Sequence, residues 1–185
     1  MKKIVISTIL IFLPILASAQ SGEEVKFFEF APDISYPLAI ASNPTSYQLF
    51  YPYNEFISGF DIWVDNQGAA GITSFGLRDK DDNLIASKSV SIPYLPPKWG
   101  GNKIHVAFAS AVSLIPAELY KIKIISGMPN LRLYYANRAQ LLTHNSTFPI
   151  EHILGSARLG SVDQDFAFKI ALYENNDNVA PVISN

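Results

Sequence analysis

Along most of the chain beyond residue 25, apolar and polar residues alternate with period two, the pattern of strands that bury one face and leave the other open. Between residues 56 and 64, Phe56, Ser58, Phe60, Ile62 and Val64 fall on one face and Ile57, Gly59, Asp61 and Trp63 on the other. Between 103 and 109, Ile104, Val106 and Phe108 oppose His105 and Ala107. Between 165 and 173, Phe166, Phe168, Ile170 and Leu172 oppose Ala167, Lys169, Ala171 and Tyr173. Further strands are expected at 25–30, 47–51, 72–78, 84–92, 119–126 and 131–136, with a weaker one at 36–41.

Turn-forming residues separate these stretches. Asp65-Asn66-Gln67-Gly68, Asp79-Lys80-Asp81-Asp82-Asn83, Pro96-Pro97-Lys98-Trp99-Gly100-Gly101 and Gly127-Met128-Pro129-Asn130 carry the Gly, Pro, Asn and Asp that reversals need. Only 137–144 has the makings of a helical turn or two, and 111–119 is broken by Pro116. Without crossover helices a parallel α/β sheet is not expected. The expectation is all-β: an antiparallel β-sandwich of jelly-roll or immunoglobulin-like type, about nine or ten strands, forming one domain over residues 20–173.

The first twenty residues follow another rule. Lys2 and Lys3 precede an apolar run at 4–16, interrupted by Ser7, Thr8 and Pro14, and Ala17-Ser18-Ala19 offers small residues for cleavage. This is the pattern of a secretory signal peptide, residues 1–19. A spanning helix needs about 20 apolar residues, whereas Gln20, Ser21, Gly22, Glu23 and Glu24 end the run early. The expected destination is secretion or the cell surface, with no membrane span after cleavage. The short positive leader ending in Ala-Gln resembles bacterial export signals.

Composition narrows the classes further. The chain of 185 residues is 49% hydrophobic and 16% charged, which excludes a disordered or fibrous chain. Loss of Lys2 and Lys3 with the leader takes the formal charge from −2 to −4. The remaining basic residues are scattered singly in sequence, so nucleic acid is not an expected partner. There is no cysteine. An exported chain without disulfides must hold itself together by core packing, and thiol catalysis, thiolate zinc sites and N-terminal lipidation on cysteine are excluded.

Two turns carry candidate chemistry. Asp79, Asp81 and Asn83 have the alternating oxygen-ligand spacing that wraps calcium, the one cofactor the sequence suggests. An EF-hand loop would continue with Gly at its sixth position and Glu at its twelfth, where this chain has Leu84 and Val90. The competing reading is a solvated hairpin turn held by Asp and Asn side chains. Trp99, flanked by glycines, lies near Tyr94 and Asn102, and Arg132 and Tyr134 share a face of the 131–136 strand. Exposed rings stack on the apolar faces of sugars while polar groups meet the hydroxyls, so these five residues form a candidate glycan-binding platform. The alternative is that Trp99 folds back as a plug over the core. Trp63 either faces solvent or packs in a second apolar layer, and Tyr51-Pro52-Tyr53 reads as a rigid corner.

Catalytic signatures are missing. His105, His144 and His152 make no His-Glu-x-x-His motif, and no Gly-x-Ser-x-Gly turn exists. His144, Glu151 and His152 lack a recognised metal spacing, and Asn145-Ser146-Thr147 reads as an ordinary loop.

After the last strand come Glu174-Asn175-Asn176-Asp177-Asn178 and the apolar Val179-Ala180-Pro181-Val182-Ile183-Ser184-Asn185. The second segment resembles the start of immunoglobulin-like repeats in bacterial surface proteins. Asn176-Asp177-Asn178 before Ala180-Pro181 resembles the cadherin interdomain linker, with Glu174 where Asp is usual and Val179 inserted. The resemblance implies a linker and the start of a further domain at 174–185. Residues 56–126 are similar in style to secreted bacterial β-sandwich modules that accompany carbohydrate-active or adhesive domains. That likeness implies a non-catalytic extracellular recognition or adhesion module with a glycan or cell-surface partner. A structural spacer or assembly subunit, and a β-sandwich hydrolase, are the alternatives.

Overall fold

Strand β4 (Phe56–Asn66) is the spine of the molecule. Its alternation buries Phe60, Ile62 and Val64 completely on one side. Between Ile57 and Gly59 the ladder to its neighbours slips, and Ile57 rather than Phe56 enters the core. A bulge of this kind flips the phase of a strand, so the face assigned by simple alternation at 56–58 is corrected here. The computed structural model describes residues 26–30, 36–39, 46–137, 158–159, 162–163 and 166–175.

Every element among the described residues is an antiparallel strand. No helix occurs among them, hence none long and apolar enough to cross a membrane. Eight strands form the framework, four to a sheet. One sheet holds β4, β7 (Asn102–Ser113), β9 (Leu131–Asn137) and β13 (Ile170–Asn175), extended by β1 (Lys26–Phe30), β2 (Tyr36–Ala39) and β12 (Phe166–Phe168). The other holds β3 (Ser46–Phe50), β8 (Tyr120–Ser126), β5 (Gly71–Arg78) and β6 (Leu84–Ile92), extended by β10 (Arg158–Leu159) and β11 (Val162–Asp163). The expected nine or ten strands thus resolve into eight framework strands and short segments of two to five residues paired with them. The helical turn expected at 137–144, the candidate cluster His144, Glu151 and His152, the sequon and the leader lie outside the described residues, apart from Asn137, which ends β9.

The inner faces of both sheets feed one apolar core. Phe60 of the first sheet meets Phe75 of the second edge-on, ring centroids 5.5 Å apart, and Phe108 at 6.1 Å. Phe50, Leu77, Ile122, Ile124, Leu131, Leu133 and Phe168 complete the centre. Replacing Phe60 by alanine is expected to cost about 3–5 kcal/mol in a urea melt.

The edge that β4 offers opposite β7 is shared by two partners. Residues 56–62 pair with β13 and residues 64–66 with β9. Lys169 bridges the handover: its N–H donates to Tyr134 O at 2.7 Å, and its carbonyl accepts from Trp63 N at 3.3 Å. Three strands therefore meet at Trp63, Tyr134 and Lys169, on the outer face of the first sheet.

Candidate functional site

The chain leaving β6 runs through Pro93, Tyr94, Leu95, Pro96, Pro97 and Lys98 to Trp99, Gly100 and Gly101, then enters β7. Proline fixes φ and cannot donate a backbone hydrogen bond, so this segment forms no continuous ladder and is held by one bridge and by side chains. Leu95 exchanges two backbone bonds with Asn66, each 2.9 Å. The Asn66 amide donates to Pro93 O at 2.9 Å, and the Asn102 amide to Pro96 O at 2.9 Å. Tyr134 Oη donates to Lys98 O at 2.9 Å, and Lys169 Nζ to Gly100 O at 2.9 Å. The carbonyls of residues 93, 95, 96, 98 and 100 are each engaged.

A four-residue turn closes the tip, with Gly101 N–H donating to Lys98 O at 2.9 Å. Gly100 has φ +76°, the value that a type II turn requires at its third position. Gly101, at φ +84°, is constrained twice: an added Cβ would lie 2.7 Å from the Tyr134 ring and 3.0 Å from Trp63 Cβ. Glycine there lets the loop lie directly on the sheet.

Beneath the loop, Trp63 (8% exposed), Tyr134 (4% exposed) and Ala171 form a second, smaller apolar cluster. The Lys169 ammonium sits 4.9 Å above the Trp63 ring, a cation–π contact. Trp63 thus belongs to a second apolar layer, the latter of its two expected placements. Trp99 does not fold back. Its side chain is 85% exposed and Tyr94 is 60% exposed. The plug reading is replaced by a braced loop that holds an indole out into solvent.

Among the five platform candidates, Trp99 and Tyr94 project outward. Asn102 is spent on holding Pro96, and Tyr134, expected as an exposed partner, is buried as the post beneath Lys98. Arg132 is half-buried and lies opposite Asp65 in the β4–β9 ladder. Burial pushes the Asp65 carboxyl above its usual range, with Arg132 and the Tyr134 hydroxyl opposing. Burial likewise raises the Tyr134 phenol, helped by the Asp65 charge.

Beside the loop on the same face stands a polar cluster that sequence reading missed. Asp61 is fully buried and accepts from His105 Nδ1 (2.8 Å), Tyr173 Oη (2.6 Å) and Lys103 Nζ (3.0 Å). Burial raises its pKa, but the bonds from His105, Tyr173 and Lys103 outweigh burial and hold it below the usual range. The signal was available: Asp61, Trp63 and Asp65 alternate along β4, and Lys103 and His105 along β7, in register across the ladder.

The second candidate turn, at 79–83, lies on the other sheet, between β5 and β6. Asp79 Oδ1 accepts from Asp81 N (2.9 Å) and Asn83 N (2.8 Å), and Oδ2 from Asn83 Nδ2 (2.8 Å). The Asn83 side-chain bond leads in holding the Asp79 carboxyl below its usual range. Lys80 pairs with Asp81 at 2.6 Å. Asp82 faces Arg78, Lys121 and Lys123 at 3.7, 3.4 and 3.9 Å. Asp79 and Asn83, two of the three calcium candidates, are bonded to each other as the hairpin's internal staple.

Glu174, assigned to the linker from sequence, instead lies in β13 and is buried. Its Oε2 accepts from Tyr53 N (2.8 Å) and Asn54 N (3.1 Å), tying down the corner at 51–55. Burial pushes its pKa up to about 7, against the pull of those two amides.

Neither a scan of family models nor a search of curated proteins finds a match to this chain.

Proposed function

We propose that this protein is a non-catalytic extracellular recognition module, a β-sandwich of jelly-roll or immunoglobulin-like type, that binds glycans through Trp99 with Tyr94 beside it. The observation that carries this reading is an indole 85% exposed at the tip of a loop whose carbonyls are bonded to Tyr134, Lys169, Asn102 and Asn66. Exposed apolar surface gathered in one place marks binding sites, and Trp99 and Tyr94 both stand exposed on this one loop. A rigid support lowers the ordering cost of binding. Export through the leader would bring the loop to extracellular glycans, and calcium is not needed for stacking.

The assembly alternative has less behind it. Strand β6, at an edge of its sheet, carries an exposed Lys88, and a lysine on an edge strand discourages edge-to-edge pairing. A glycan array probed with the parent chain and with Trp99→Ala tests the reading. Binding by the parent that vanishes in the variant is the expected result, and binding that survives Trp99→Ala would discard it.

A further inference from the structure

We infer that the sugar taken by this platform carries an anionic group, carboxylate or sulfate, met by Lys98 and Lys103 with His105 alongside. The inference rests on the glycan reading above and adds the ligand's charge. Strand β7 begins directly after the loop, and its first outward-facing residues are Lys103 and His105, with side chains 55% and 40% exposed. Lys103 lies opposite Trp63, the residue on which Gly101 rests, two residues after the loop ends, and its ammonium reaches Asp61 on the same face. Of the three hydrogens on that ammonium, one serves Asp61. Lys98 precedes Trp99, is exposed, and makes no ion pair among the described residues.

The β4 carboxylates of this face are withdrawn from solvent. Asp61 and Asp65 are fully buried, so a ligand approaching Trp99 meets ammonium and imidazole groups and no exposed acid of β4. Lys98, Lys103, Lys169 and Arg132 set against Asp61 and Asp65 leave an excess of two positive charges, in a chain whose formal charge is −2. In β1, Lys26 and Glu29 stand opposite Tyr173 and Ala171 and offset one another. A local field opposed to the net charge selects for ligand charge and speeds encounter. Ammonium groups beside an indole suit a ring with one apolar face and an acidic substituent.

Isothermal titration of the leaderless chain with an oligogalacturonate, a chondroitin sulfate oligosaccharide and a neutral xylo-oligosaccharide tests this. One acidic probe should bind at least about tenfold tighter than the neutral one at low salt, and lose most of that advantage near 1 M NaCl. Lys98→Gln should lower acidic affinity roughly fivefold to tenfold while leaving Tm and neutral-probe binding unchanged, and Lys103→Gln should do the same to affinity with some loss of Tm, because it takes a cation from buried Asp61. The carboxylated and sulfated arms show which group is read. Neutral binding that depends on Trp99, with acidic probes no tighter, would overturn the inference and leave the glycan reading standing. Acidic binding indifferent to both lysine variants would also overturn it, and no binding to any probe would bring down both.

Discussion

The loop at 93–101 and the turn at 79–83 look alike in sequence, both short and built from residues that favour reversals, yet they are held in opposite ways. The 79–83 turn closes on itself: Asp79 binds Asp81 and Asn83, all within five consecutive residues. The 93–101 loop is held from outside, by Tyr134 of β9, Lys169 beside β13 and Asn66 of β4. A self-closed turn can form as soon as its hairpin does and leaves its side chains spent. An externally braced loop needs the whole sheet, and in return its tip residue is free of structural duty. That is why the candidate site is the braced loop and not the self-closed turn.

The corner at 51–55 belongs with the braced class, and its brace is a carboxylate. Glu174 binds its proton more tightly when folded, with a pKa of about 7 against an ordinary 4.5. Between those values the folded state holds more protons than the unfolded one, so stability falls as pH rises through the window and is greatest below it. Glu174→Gln should therefore match the parent near pH 4 and exceed it by up to about 3 kcal/mol at pH 8, measured by urea melts. A parent whose stability is flat from pH 4 to 8 would break the comparison at this corner.

Gly101→Ala attacks the loop itself. It forces alanine into a left-handed backbone and against the Tyr134 ring, at an expected cost of about 2 kcal/mol. The loss should come with a change in tryptophan emission as Trp63 and Trp99 shift. Asp79→Ala removes an exposed turn staple and should lower the midpoint of a urea melt by less than Gly101→Ala does, leaving Trp emission unchanged. A Tm unmoved by calcium and by EDTA would confine that turn to its structural role, and a rise with calcium would revive the metal reading.

How far the sequence could be read follows from the same contrast. Strand positions and inward faces depend on alternation between neighbours in sequence, so Phe60, Ile62, Val64, Val106 and Phe108 were legible. The bulge at Ile57–Gly59 was not, because it depends on how β7 and β13 pair with β4. Trp99 and Tyr94 were legible as aromatic residues near turns. Tyr134 was misread as a surface ring, since its burial depends on a loop more than thirty residues away folding over it. Lys169 and Asp61 went unnoticed because each acts across strands distant in sequence. Basic residues that look isolated along the chain, Arg78, Lys121 and Lys123, meet around Asp82 once β5 and β8 pair.

Trp99→Ala has the smallest expected effect on stability, within about 0.5 kcal/mol, because the indole touches solvent more than protein. The same change should have the largest effect on binding. The decisive measurement is therefore the affinity of parent and Trp99→Ala for the tightest-binding glycan, taken beside their melting temperatures. An unchanged Tm with affinity reduced by at least about thirtyfold, the scale of a lost tryptophan anchor, is the predicted result. Equal affinity in the two proteins, at equal Tm, would contradict the account.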